Sequence, residues 1–522
     1  MKLAIYDTTL RDGGQGAGVS FTTEDRVRLM HVLDGLGISY IEVGMLAAKR
    51  DEPVLVRLLS EKLANAKTTV FVNTCRVGQA AAESGTLAAA AALPSDAVTV
   101  CGKASVRQVK NVLRTTEDEN LRMIADSIRY LVSSGKEVIF DAEHFFDGYG
   151  DDPTYALRVL TSAAEAGASQ IVLCDTNGGN LPDVIGLATE AAKAHVSIPL
   201  GIHCHNDLGM AEACSLAAVL SGASSVQGTV SGLGERCGNA NLNTMIPLLQ
   251  LKLGFSCVPP EKLRGLTAAA RTVCELANRT FDEREPFVGG YAFTHKAGTH
   301  IDGVLKRPDA FEQVAPEDVG NARNLVVSGL AGRAALIEKM TAYCPDLDKD
   351  SEEVARAVET VRAREDAGYT YEDAEASLAL LIGEVLGRRR RYFSLERLQV
   401  TVDAGEESHG YASGAAAMVK ISVGDGEEIA AGEGVGPVNA MDAALRRALV
   451  RFYPAVSRVA LTDYKVRVIS SDATASTVRV VIESTDGARI WRTVGVSADV
   501  IDASFQALRD SVEYMLSITE DK

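Results

Sequence analysis

The chain has 522 residues, 53 of them basic and 70 acidic, for a formal net charge of −17, and 46% of its residues are hydrophobic. This length exceeds one ordinary hydrophobic core and predicts two to four domains. The acidic balance, with no basic run carrying interleaved aromatics, argues against a nucleic-acid partner, although a local arginine or bound cation can still present positive charge to an anionic substrate. No apolar run approaches the roughly 20 residues that cross a bilayer, and Met1-Lys2 leads into a short strand without a secretory apolar region. No membrane association and a cytoplasmic location are therefore expected. Nine cysteines without a CxxC pair fit reduced thiols, with Cys101, Cys174 and Cys204 filling core.

From Leu3 to about residue 250, short β-rich runs alternate with longer helical ones. The strands are expected at Leu3–Tyr6, Ser39–Val43, Thr69–Val72, Ala97–Cys101, Glu137–Asp141, Gln170–Cys174, Leu200–His203 and Ser225–Gly228. Amphipathic runs between them include Thr23–Leu36, Thr116–Ser133, Pro153–Glu165, Leu181–Ala194 and Met210–Ser221. Eight strand-then-helix repeats predict a closed parallel (β/α)8 TIM barrel over residues 1–257, and no GxGxxG follows an early strand to favour a dinucleotide fold.

Polar residues collect at one end of these predicted strands. Arg11 and Asp12 follow the first, Glu42 lies in the second, and Asn73 follows the third. Glu143 follows the fifth, Asp175 and Thr176 the sixth, His205 the seventh and Thr229 the eighth. That end of a barrel is where active sites are built. His203 and His205, two of only eight histidines, share one strand face and begin a metal site with Asp12; the plainer alternative is a pair of hydrogen-bonded histidines at the barrel mouth. In Gly232–Asn239, glycines permit close backbone approach, Glu235 and Arg236 can brace the loops, and Asn239 offers a neutral oxygen ligand.

Residues 258–392 are expected to form helical post-barrel subdomains that complete the active site. They carry Phe293–Gly303, with His295 and His300, an acidic run Glu352–Asp366 that reads as a solvated helical face, and the basic boundary Arg388–Arg391. Residues 393–522 change character. Strands at Leu395–Val402, Ala415–Val423 and Glu427–Gly432 precede a helix at Val438–Phe452, and the order returns with Val459–Ile469, Thr477–Ser484, Ile490–Val496 and a helix at Ala498–Leu516. Two βββα units make an α+β module for dimerisation or regulation. The glycine-bearing stretches Gly434–Gly436 and Gly495–Ser497 are expected as turns before each helix, where free backbone donors can receive an anion.

Asp7–Gly13, His203-x-His205-Asn206-Asp207, Gly234-Glu235-Arg236 with Gly238-Asn239, the His300 loop and the duplicated C-terminal module together resemble the 2-isopropylmalate, homocitrate and citramalate synthases, within the DRE-TIM metallolyase group. The resemblance covers essentially the whole chain. Thr8–Gly16, Phe145–Tyr149 and Leu173–Gly179 are most similar to the longer citramalate-synthase type.

The resemblance implies metal ligands at Asp12, His203, His205 and Asn239, a carbonyl-polarising Arg11 that also binds substrate, catalytic Glu143 and His300, and a keto-acid contact at Thr176. It implies a divalent cation, with Mg²⁺ or Mn²⁺ suiting mixed oxygen and imidazole ligands better than tetrahedral zinc. The implied activity is an acyltransferase that condenses acetyl-CoA with pyruvate and water to (R)-citramalate and CoA, feeding isoleucine biosynthesis. A homodimer with isoleucine as feedback inhibitor is implied as well, its site at unassigned residues of the C-terminal repeats. The alternatives are 2-oxoisovalerate as substrate, then homocitrate synthesis, a metal-dependent aldolase or lyase, or a non-enzymatic metabolite sensor. One position departs from the pattern: many relatives carry a tyrosine shortly after the His300 loop, where this chain has Phe311, which cannot relay a proton.

Overall fold

The structure, a computed structural model, describes residues 1–326, 336–337, 339–341, 347–348, 351–403, 414–470, 476–487 and 489–520. Two compact units divide the chain, one of residues 1–293 with 313–324 and one of 294–312 with 325–522. Within the first, eight strands close into a barrel in sequence order: β1 Ala4–Asp7, β2 Tyr40–Met45, β3 Lys67–Asn73, β4 Ala97–Lys103, β5 Glu137–Glu143, β6 Gln170–Asp175, β7 Leu200–Cys204 and β8 Ser225–Gly228. Each pair is parallel, and β1 closes on β8 with Ala4 opposite Ser225 and Asp7 opposite Gly228.

The strand alternation determines what each side of the barrel wall holds. Ile5, Ile41, Val43, Val70, Val72, Val98, Val100, Val138, Phe140, Ile171, Leu173, Ile202 and Val226 join the large outer core beneath the helices. The opposite face of the same strands lines the interior, where Tyr6, Ile139, Val172 and Cys174 form a separate small cluster. Other interior positions are polar: Glu42, Thr99, Asp141, His203 and Gln227 are all buried.

Caps account for several helix starts. Thr22 and Asp25 form a reciprocal capping box at Thr23–Leu36, which ends at Gly37 in the left-handed region. Thr116 caps Glu117–Ser133, and Asp152 caps Pro153–Glu165, which has proline in its first turn. Additional helices occupy Glu52–Leu59, Gly85–Ala92 and Phe145–Asp151. After the barrel, helix Leu266–Leu276 packs in the first unit through Leu266, Ala270 and Val273.

The second unit contains helices Gly298–Lys306, Glu352–Asp366 and Glu375–Val385, followed by two three-stranded antiparallel sheets. Strands Ser394–Asp403, Gly414–Val423 and Gly426–Gly434 precede helix Pro437–Leu449; strands Ala460–Val468, Val478–Thr485 and Ile490–Ser497 precede helix Val500–Glu520. The βββα order thus occurs twice, around a shared core that includes Val419, Ile421, Leu445, Trp491 and Leu508.

Val435 and Gly436 form the expected bend before the first of these helices, whereas the second glycine stretch differs from expectation. Gly434 ends a strand and Gly495 lies within one. A Cβ on Gly495 would come within 2.0 Å of Ala503 O, and one on Gly434 within 2.6 Å of Ala440 N. These two glycines permit close strand-to-helix packing. The second helix start is closed by its own side chains, with Ile501 N–H donating to Asp499 Oδ1 at 2.8 Å and Asp499 N–H to Ser497 Oγ at 3.1 Å.

Among the described residues no helix is long and apolar enough to cross a membrane. The eight described cysteines are free thiols, with only Cys237 exposed; Cys344 lies outside the described residues.

Candidate active site

The loop after β1 is organised by Asp7, whose carboxylate accepts from Thr9 N–H and Thr9 Oγ1, each at 2.9 Å. Thr9 Oγ1 in turn accepts from Val230 N–H at 2.9 Å, joining the loops that follow β1 and β8. Asp12 N–H and Gly13 N–H both reach Thr8 O, a tight turn that aims Asp12 over the barrel. There Asp12 Oδ2 lies 3.5 Å from His203 Nε2 and 3.7 Å from His205 Nε2.

Asn239 arrives from the loop after β8. An isolated bridge pairs it with His205, while Asn206 N–H donates to Gly238 O at 2.9 Å and Ala240 N–H to Cys204 O at 3.0 Å. Its Nδ2 donates to Leu233 O at 3.2 Å, leaving Oδ1 buried without a protein partner. Among the described residues Asp12, His203 and His205 are the one group of three whose donor atoms, all within 4.8 Å of one another, could hold a metal ion. A carboxylate, two imidazoles and an orphaned amide oxygen are a donor set that fits a divalent cation.

The charges suit that role. Burial works against ionised Asp12, but Arg11, His203 and His205 offset it and hold its carboxyl below the usual range. Burial, then His205, pushes His203 down to about 3, so its ring is neutral near pH 7 and has a lone pair to offer.

Arg11 is held from several sides. Its Nε donates to Glu42 Oε2 at 2.6 Å, its Nη1 lies 3.2 Å from Asp12 Oδ2, and its guanidinium sits 4.3 Å over the Phe71 ring. Glu42 is fully buried and also accepts from Tyr6 Oη at 2.7 Å and Thr8 Oγ1 at 2.5 Å. Burial opposes the charge on Arg11, but Glu42 and then Asp12 raise its pKa above the ordinary arginine value.

Glu143 ends β5 and pairs with Lys103 at the end of β4, while Cys101 Sγ donates to it at 3.4 Å. Thr176 Oγ1 accepts from His144 N–H at 2.8 Å. A cavity of about 250 Å³ joins Arg11, Asp12, Lys103, Glu143, Thr176, His203 and His205.

Arg236 braces the rim by donating to both Asp207 oxygens, at 2.8 and 3.0 Å, and to Thr176 O at 2.7 Å. Glu235 lies farther from Arg236, at 3.7 Å, and also lines the cavity. His300 belongs to the second unit, on helix Gly298–Lys306, where its ring lies 5.4 Å from that of Phe311. His295, in the same unit, is 3.1 Å from Glu312.

Lys103, Asp141 and Gln227 escaped the sequence reading as site residues. The available signal was position: Lys103 stands two residues after Cys101 on the same strand face, and Asp141 two before Glu143. Asp141 accepts from Gln227 Nε2 at 3.1 Å. Burial, then Glu42, pushes its carboxyl up to about 8, and burial, partly offset by Thr9, pushes Asp7 up to about 7.

These raised values imply a pH dependence. Between the unfolded value near 3.8 and the folded value, the native state binds more protons than the unfolded chain, so stability falls as pH rises, by up to about 1.4 kcal/mol per pH unit per carboxyl. Above pH 7 the His203 contribution is nearly complete, while Asp7, about half protonated at pH 7, still contributes but does so equally in wild type and in an Asp141 variant, so the difference between the two proteins reports Asp141. In metal-free protein, Asp141→Asn is expected to flatten the stability slope between about pH 7 and 8.5. Hydrogen exchange of barrel amides measures it, and equal slopes in the two proteins would contradict the assignment.

A closed (β/α)8 barrel with a carboxylate, two imidazoles and a braced arginine at the C-terminal ends of its strands defines a barrel enzyme with a candidate divalent-metal site. Family models match in series: HMGL-like at residues 2–273, homocitrate synthase post-HMGL domain-like at 287–369, and LeuA allosteric (dimerisation) domain at 372–516. The (R)-citramalate synthase of Aquifex aeolicus is 45% identical over 100% of this chain and 99% of its own length. That of Geobacter sulfurreducens is 43% identical over 99% and 98%. A solved HMG-CoA lyase from Bacillus subtilis is 20% identical with a TM-score of 0.47, over 54% of this chain and 95% of that one. The chain belongs to the (R)-citramalate synthase family of HMGL-like enzymes, an acetyl-CoA-condensing class.

Proposed function

We propose that this enzyme condenses acetyl-CoA with pyruvate and water, releasing (R)-citramalate and CoA, with Mg²⁺ or Mn²⁺ held by Asp12, His203, His205 and Asn239. The observation that carries the reading is the meeting of Asp12, His203 and His205 beside the guanidinium of Arg11. When bound, the cation supplies Lewis acidity toward a 2-keto acid. Arg11, prevented from rotating away by Glu42 and Phe71, directs donors at the oxygen where negative charge develops. Thr176 orients the keto acid on the same rim. Glu143 handles the acetyl methyl proton, its carboxylate positioned by Lys103. The family resemblance carries the proposal that His300 takes part in proton transfer, and with Phe311 beside it that path uses His300 itself, water or another tyrosine.

Thiol release measured with pyruvate, 2-oxobutyrate, 2-oxoisovalerate and 2-oxoglutarate tests the substrate. Pyruvate is expected to give the highest kcat/KM. Preference for 2-oxoisovalerate would replace the reading with 2-isopropylmalate synthesis, and preference for 2-oxoglutarate with homocitrate synthesis. Pyruvate formed from a hydroxy acid without CoA would indicate a lyase.

The two βββα repeats are proposed to assemble as a homodimer and to bind isoleucine, the enzyme acting in the cytoplasm. The match to an allosteric (dimerisation) domain supports this. Sedimentation of the full chain should give a dimer, and isoleucine should lower initial rates more than leucine or valine does. A dimer indifferent to isoleucine would reduce the module to assembly.

A further inference from the structure

His203 faces two ways. Its Nε2 points to Asp12, at 3.5 Å from Oδ2, and its Nδ1 lies 3.0 Å from Gln227 Oε1. An amide oxygen only accepts, so this second contact is a hydrogen bond when Nδ1 carries the proton, and Nε2 then keeps its lone pair. The amide is itself oriented, because Gln227 Nε2 donates to Asp141 Oδ1 at 3.1 Å. A flipped amide would turn an N–H toward Nδ1 and favour the opposite tautomer.

The barrel wall makes the arrangement specific. His203 and Gln227 are register partners on β7 and β8, and the chain of contacts continues across the interior to Asp141 on β5. Gln227, Asp141 and His203 are 1%, 3% and 5% exposed, so bulk water has little access to substitute for the amide. His205 provides the contrast, since its Nδ1 has no protein partner.

We propose that Gln227 is a positioning residue that locks His203 in the tautomer whose Nε2 is free for the divalent cation. The inference rests on the cation assignment made above. Partners of metal-bound histidines typically contribute about 10- to 100-fold in metal affinity. Gln227→Leu removes the acceptor within a similar volume.

The test titrates Mn²⁺ into metal-free wild-type and Gln227→Leu full-length protein, alongside ¹⁵N-histidine spectra in which the His203 signal is the one lost in His203→Asn. In the wild type, His203 is expected with protonated Nδ1 and bare Nε2. In Gln227→Leu both tautomers are expected, with Mn²⁺ bound about 10- to 100-fold more weakly and turnover recovering as Mn²⁺ is raised. Unchanged Mn²⁺ affinity in a folded Gln227→Leu protein, or a wild-type His203 protonated at Nε2, overturns the proposal. If Gln227→Leu does not fold, the wild-type tautomer still decides it. Wild-type protein that binds no Mn²⁺ would overturn the cation assignment, and the proposal with it, a result distinct from equal binding by both proteins.

Discussion

Asp12→Asn, His203→Ala and His205→Ala are each expected to lower kcat/KM about a thousandfold or more while leaving the barrel folded. A Lewis acid supplies several kcal/mol of charge stabilisation, and each factor of ten corresponds to about 1.4 kcal/mol. The three side chains provide the buried donor cluster, and none belongs to the apolar core around the barrel. In Asp12→Asn, Arg11 keeps its 2.6 Å bond to Glu42 and so stays in place, which confines the loss to the cluster. Mn²⁺ titration, thermal unfolding and thiol release separate the effects: metal affinity and turnover should collapse together while the midpoint moves little. Full activity in rigorously metal-free wild-type enzyme would sink the metal assignment.

Arg11→Lys is expected to reduce kcat by about 10²- to 10³-fold, the usual consequence of removing a donor that stabilises developing oxyanion charge. The guanidinium divides its work, with Nε on Glu42 and Nη1 beside Asp12, and sits 4.3 Å over the Phe71 ring. A lysine retains one point charge but cannot occupy these directions at once. Glu42 would retain its Tyr6 and Thr8 donors, so the substitution leaves the buried carboxylate partly satisfied. Arg11→Ala would instead leave that carboxylate without a cation, at a cost of about 3–5 kcal/mol in stability. Mn²⁺ affinity within several-fold of wild type, together with a large fall in kcat for Arg11→Lys, is the expected pattern. A mutant that loses metal and turnover in equal measure would reassign Arg11 to holding Asp12.

The substitutions also show which features were readable before the fold. His203 and His205 are legible as a pair because alternate residues share a strand face, and Arg11 and Asp12 because they follow the first apolar run. Lys103 was not, because β4 continues two residues beyond its expected end at Cys101, into polar sequence at the mouth. Hydrophobic runs mark where a strand packs against helices; they do not show how far its hydrogen-bonded ladder extends. Gly495 was misread for a related reason, since glycine marks either a turn or close backbone approach and only the position of Ala503 distinguishes them.

Local periodicity was sufficient for the eight strands, the repeated βββα order and the pairing of His203 with His205 on one face, because spacing along a strand or helix decides which side chains share a face. The partnerships came only with barrel closure: Arg11 with Glu42, Lys103 with Glu143, Arg236 with Asp207, and Asp141 through Gln227 to His203. Each joins residues on separate strands or loops, and their meeting depends on the register between chains of hydrogen bonds. Periodicity within one strand carries no information about that register.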